Sequence, residues 1–200
     1  MKILVVGASG TIGRAVVNAL YEVHEVVSAS RRRSALRVDI ADPGSIQYLF
    51  RTVGKVAAVV CVAGDAPFGE LTTLTDADFK LGLTSKLMGQ VNLVRVGMEH
   101  VTDGGSFTLT SGILARQPMV GSSAISLVNA GLEGFVRAAA LEAPRGIRVN
   151  IVSPGWVTET LRMLDRDPST GTPAAIVAQA YVRSIDGTTT GTVIDASGGA

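Results

Sequence analysis

GASGTIG, residues 7–13, decides how the rest of this 200-residue sequence is read. The apolar run 3–6 precedes it and the helix-period stretch 11–20 follows, so the glycines sit between a strand and a helix. In that setting each glycine has a task. Gly7 permits a tight turn, Gly10 lets the backbone approach a pyrophosphate, and Gly13 lets helix and strand pack closely. The N–H groups of the first helical turn then face an anion, helped by the helix dipole. The competing reading is a purely structural glycine turn. The strand before, the helix after and the N-terminal position favour a dinucleotide site.

Outward from this loop, apolar runs alternate with helical stretches. Strands are expected at 3–6, 25–29, 36–38, 56–62, 106–110, 147–152 and 192–195. Helices are expected at 11–20, 43–53, 76–101, 122–141 and 173–184. Such alternation predicts a parallel sheet covered on both faces, in one domain spanning 1–200. Residues 30–35 are too few for the usual crossover helix. The helix that would normally connect strands two and three is therefore expected to be missing.

Composition narrows the classes. The formal net charge is +1 and charged residues make up 18%. That balance leaves no electrostatic footprint for nucleic acid or a membrane surface. No apolar run in the sequence reads as a membrane span, and the run 3–6 is too short for a secretory leader. The single cysteine, Cys61, excludes an internal disulfide and suits a reducing compartment. A cytoplasmic protein acting on a small molecule is the expectation.

Several segments beyond the loop match a known family along the whole chain. They are VDIAD (38–42), CVAG (61–64), GGSFTLTS (104–111), LEGFVRAAALEAPRGIRVNIVSPGWV (132–157) and TGTVIDASGG (190–199). The sequence thereby resembles the short-chain dehydrogenase/reductase family. The resemblance implies a Rossmann-type, doubly wound α/β sheet of about seven parallel strands with helices on both faces. It also implies site residues. With Ser9 in the glycine loop, Thr11 and Ile12 would offer backbone N–H groups to the pyrophosphate. Asp39 and Ile40 would meet the adenine, and Ala63 and Gly64 the adenosine ribose. Pro154, Gly155 and Val157 would hold the nicotinamide end. Asp39 has a second reading as a cap or turn residue, although Asp42 before Pro43 fits a helix cap better. In relatives the two long helices pack across a two-fold axis, so a homodimer is implied.

The residues after strand two bear on the choice of dinucleotide. A site for NAD usually carries Asp or Glu there for the ribose 2′-hydroxyl. Here Ser28-Ala29-Ser30 is followed by Arg31-Arg32-Arg33. Arg31 and Arg32 can grip a 2′-phosphate bidentately and Ser30 can donate to it, which points to NADP(H). A solvated basic turn is the alternative.

The family's tyrosine and lysine, four residues apart on one helix face, are absent. Aligned through LEGF, their positions hold Ile125 and Asn129. Tyrosines occur only at 21, 48 and 181, and no lysine follows Lys86, so no register supplies the pair. Ser111 alone remains of the implied tetrad, and Lys86 occupies the asparagine position. Two readings follow. In one, the protein is an oxidoreductase in which Ser111 polarises a carbonyl, Lys86 supplies or relays the proton, and Asn129 binds the nicotinamide ribose. In the other, it is a catalytically silent NADP(H)-binding sensor. His24 and His100 read as surface or cap residues, and no cluster has metal-ligand spacing. The 158–172 segment reads as a short substrate loop. Its Glu159 stands where the family often has a carboxamide-binding threonine.

Overall fold

A computed structural model of the chain describes residues 1–196. Strands β1 (Lys2–Val6), β2 (Glu25–Ser30), β3 (Leu36–Arg37), β4 (Val56–Cys61), β5 (Val101–Thr110), β6 (Arg148–Pro154) and β7 (Val193–Ala196) form one sheet. Their order is β3-β2-β1-β4-β5-β6-β7 and every pairing is parallel. This is the seven-stranded α/β sheet that the resemblance implied. The last residues of TGTVIDASGG, 197–199, lie outside the described residues.

The central strands are apolar on both sides because both sides are covered. Alternation along β1 sends Ile3 and Val5 to one face and Leu4 and Val6 to the other. The first face carries α1 (Thr11–Leu20) and α7 (Ala174–Asp186), with Val16, Leu20, Val177 and Tyr181 buried against it. The second carries α2 (Pro43–Val53), α4 (Gly89–Gly97) and α5 (Ser123–Glu142), with Phe50, Leu93 and Leu132 buried. Asp42 caps α2 by accepting from the Gly44 N–H, and Pro43 opens that helix.

The β2–β3 connection has no helix: residues 31–35 form bends, and the Ser30 hydroxyl oxygen accepts the Arg33 N–H at 3.1 Å. The stretch expected as one helix over 76–101 is three pieces. They are α3 (Asp76–Gly82), a π-helical turn (Leu83–Met88) and α4, while Val101 already belongs to β5. Apolar periodicity runs through all three, so it conceals the inserted turn. The expected loop 158–172 contains the short helix α6 (Thr158–Met163) and a 3₁₀ turn, and the bridge between Val157 and Thr172 closes its base. Helix α5 is twenty residues long and apolar enough, by length and composition, to cross a membrane, against the sequence reading that no stretch qualifies. One face of it packs on the sheet through Leu132 and Val136, and Val128 on that helix is buried as well.

Candidate active site

Sheet order reverses between β1 and β4, and crevices open at the carboxyl ends of the strands there, where open α/β sheets bind ligands. The first crevice, about 330 Å³, runs over the ends of β1, β2 and β4. Gly7, Ser9, Gly10, Ser30, Arg31, Asp39, Ile40, Ala63 and Gly64 all line it. Gly7 has φ +89°, and a side chain there would meet the Ala63 backbone at 2.9 Å. A Cβ on Gly13 would lie 2.1 Å from the Gly7 carbonyl oxygen, so this glycine is fixed by packing. Thr11 and Ile12 stand at the start of α1, where no side chain caps the helix and no acid occupies the first turn. Those free N–H groups fit an anion such as a pyrophosphate.

Of the three arginines, Arg31 enters the crevice and pairs with Asp65 at 3.1 Å, both about half exposed. Arg33 lines a neighbouring groove with Arg14 and Ser9, and Arg32 lines neither. Asp39 combines both of its readings. It lines the crevice, and its Oδ1 accepts the Ala41 N–H at 3.0 Å in a turn.

The second cavity, about 570 Å³, extends over the ends of β4, β5 and β6. It brings together Ile12, Lys86, Ser111, Ile125, Asn129, Pro154, Gly155 and Val157. Lys86 sits in the π-helical turn and is partly buried. Its Nζ donates to the Ser111 carbonyl at 3.0 Å. Desolvation draws its pKa down from 10.5 to about 8, opposed by the nearby Cys61. Gly64, at φ +135°, leaves room for this lysine, since a Cβ there would meet its Cα at 2.8 Å.

Asn129 is 1% exposed and its Oδ1 has no hydrogen-bond partner among the described residues. A buried acceptor left open on a cavity wall fits a ligand hydroxyl. Ser111 departs from its expected role. Its hydroxyl donates to Glu133 Oε1 at 3.1 Å, so its proton is committed to a carboxylate rather than to the cavity. Arg116 approaches Glu133 at 3.9 Å and Asp195 at 3.4 Å. Tyr181 cannot replace the absent tyrosine. It is fully buried, its hydroxyl bonds Thr110 Oγ1 at 2.8 Å, and burial pushes its pKa up. Burial likewise pushes the Cys61 thiol up to about 12.

Sequence reasoning missed the groups that act through others. Asp65 and Glu133 meet their partners only through strand topology, at separations of 34 and 22 residues. Glu159 accepts the Ala174 N–H at 2.9 Å and so serves the start of α7, while Thr160 lines the cavity. Trp156 and Arg166 also line it, with the guanidinium 5.5 Å from the indole centroid. His100 stacks on Phe50 and His24 contacts the amino terminus, both away from the cavity.

Residues 11–191 match the protein family described as enoyl-(acyl carrier protein) reductase. A mouse 3-oxoacyl-[acyl-carrier-protein] reductase is 30% identical over 162 residues, covering 76% of this chain and 69% of its own. The solved structure of protein lin1944 from Listeria innocua superposes with a TM-score of 0.94 at 41% identity, covering 98% of each chain. A small-chain dehydrogenase solved in complex with NADPH superposes with a TM-score of 0.88 at 29% identity, covering 100% of this chain and 97% of that one.

Proposed function

The chain belongs to the short-chain dehydrogenase/reductase family, and from that premise we propose that it is an NADP(H)-dependent oxidoreductase that reduces a small carbonyl compound, with Lys86 as proton donor in place of a tyrosine. The observation that carries the reading is the position of Lys86. It is a desolvated ammonium on the wall of the cavity that also holds Asn129 and the Pro154-Gly155 turn.

A reduced nicotinamide, when bound, supplies a hydride to a carbonyl carbon. The chain's part is to place the substrate and give the oxygen a proton. Lys86 has three donors and spends one on the Ser111 carbonyl. Another can face the substrate oxygen, and an amine of pKa about 8 releases its proton near neutrality more readily than an exposed lysine does. Ser111 shapes the wall and holds Lys86 through its carbonyl, with its own hydroxyl proton held by Glu133. The open acceptor of Asn129 suits a ribose hydroxyl.

Arg31 and Ser30 support the choice of NADP(H). No carboxylate follows β2, and Arg31 lies in the crevice where the adenosine ribose would rest. Its exposed pair with Asp65 is of a kind worth about 0–1 kcal/mol. A 2′-phosphate carries up to two negative charges and offers bidentate contact, so it outcompetes that carboxylate. The similar small-chain dehydrogenase solved in complex with NADPH lends support to this reading.

Calorimetric titration tests the cofactor assignment. NADPH is expected to bind at least tenfold more tightly than NADH, a gap of about 1.4 kcal/mol. Arg31→Ala should remove most of that gap. Equal affinities in the unaltered protein would contradict it.

A further inference from the structure

Among the described residues, two cations line the second cavity, Lys86 in its wall and Arg166 on its exposed rim, and no carboxylate does. Between them the surface is largely apolar, with Phe68, Ile113, Leu114, Ile125 and Leu164. A neutral apolar substrate would use that surface and leave the rim cation idle.

Arg166 is held in place. Its guanidinium stands over the Trp156 ring, and its backbone N–H donates to the Leu161 carbonyl at 2.9 Å. The ring face attracts the guanidinium, which makes no hydrogen bond among the described residues. The acids that flank Arg166 in sequence, Asp165 and Asp167, are exposed and neither pairs with it. Asp167 accepts from the Ser169 N–H and hydroxyl, and Glu159 accepts from the Ala174 N–H. Among the described residues Arg166 has no ion pair. A guanidinium without an ion pair at the edge of an apolar cavity suits a carboxylate held bidentately.

We infer that the substrate is an apolar carbonyl compound bearing a carboxylate, with its carbonyl oxygen toward Lys86 and its carboxylate on Arg166. The inference rests on the reductase reading above. In the step, the C=O carbon gains a hydride from the reduced nicotinamide dinucleotide and the oxygen gains a proton from Lys86 Nζ. The product is an alcohol and an oxidised nicotinamide, and Lys86 recovers its proton from solvent. Arg166 makes and breaks no bond; it sets which substrates are held.

Matched aldehydes provide the test: 4-formylbenzoate and 4′-formylbiphenyl-4-carboxylate, each beside its methyl ester, assayed with NADPH. At least one carboxylate is expected to show kcat/KM ten or more times that of its ester, through a lower KM. In Arg166→Met that ratio should fall to about one, with partial recovery in Arg166→Lys. Equal values for acid and ester in the unaltered protein, or a ratio that survives Arg166→Met, would overturn the inference. A rise in the KM for NADPH with the ratio intact would also overturn it, by assigning Arg166 to the cofactor's phosphates. If no aldehyde is reduced, the reductase reading fails separately. Calorimetry of acid and ester on NADPH-saturated protein then decides for Arg166: tighter acid binding lost in Arg166→Met supports the assignment, and equal binding refutes it.

Discussion

Desolvation of the Lys86 ammonium acts on stability and on turnover in opposite directions. The folded amine has a pKa of about 8 against an ordinary 10.5, so it binds its proton more weakly folded than unfolded. Below pH 8 both states are protonated, and the folded state carries the full cost, roughly 3 kcal/mol from the size of the shift. Between about 8 and 10.5 the unfolded state holds more protons, so this contribution to stability rises with pH. Lys86→Met removes that cost at pH 7 but leaves the Ser111 carbonyl without its donor, worth about 1 kcal/mol. Urea unfolding should therefore show the variant more stable at pH 7 by about 1–2 kcal/mol, with the gain shrinking toward pH 10. A destabilised variant would place the ammonium in solvent. Turnover has the reverse dependence. A proton donor must be charged, so kcat/KM should fall above pH 8 or so, and that limb should vanish in Lys86→Met. At this scale the sequence was legible where a residue type is scarce. Absence of any later lysine, and of tyrosines outside 21, 48 and 181, isolates Lys86 without structural help. Glu133 carried no such signal, because only the juxtaposition of β5 with α5 gives it Ser111 as a partner.

Elements were legible wherever one cause sets them. The glycine loop and α1 follow from spacing alone, and the trimmed β2–β3 connection follows from length. Helix 76–101 was misread because the same apolar period continues across α3, the π-helical turn and α4. That turn sits in the candidate site and carries Lys86, as π-insertions often do at functional positions. Helix α6 was hidden in a segment rich in charge and threonine. Helix α5 bears on assembly. Its outer side exposes Leu127, Ala130, Gly131, Gly134, Arg137, Ala138 and Leu141, recurring every three to four residues. Leu127 is 50% and Leu141 89% exposed. Small residues between two leucines allow close helix contact, and we propose that this face pairs with its copy across a two-fold axis. Light scattering should give twice the chain mass of 20.7 kDa, and Leu127→Asp should shift it toward the monomer. A monomer at micromolar concentration in the unaltered protein would contradict the pairing.

At the scale of the whole molecule, sheet order does what no single motif can. The reversal between β1 and β4 puts the glycine loop, Arg31 and Asp39 along the first crevice. It puts Lys86, Asn129 and Pro154 along the second cavity. Residues far apart in sequence thus line one ligand-sized space, as Ile12 and Arg166 do in the second cavity. Alternating strand and helix patterns made this architecture legible, whereas the hydrogen bonds that fix each side chain within it were not. A dinucleotide spanning both crevices would bring its reactive end beside Lys86.

The most direct measurement is oxidation of NADPH, followed by its absorbance, with a panel of reactive aldehydes, diketones and quinones, for the unaltered protein and for Lys86→Met at matched NADPH occupancy. Turnover by the unaltered protein is expected, with a loss of about 10²–10⁴-fold in the variant, the size expected for a missing general acid. A protein that binds NADPH but oxidises none of it, or a variant as fast as its parent, would contradict it.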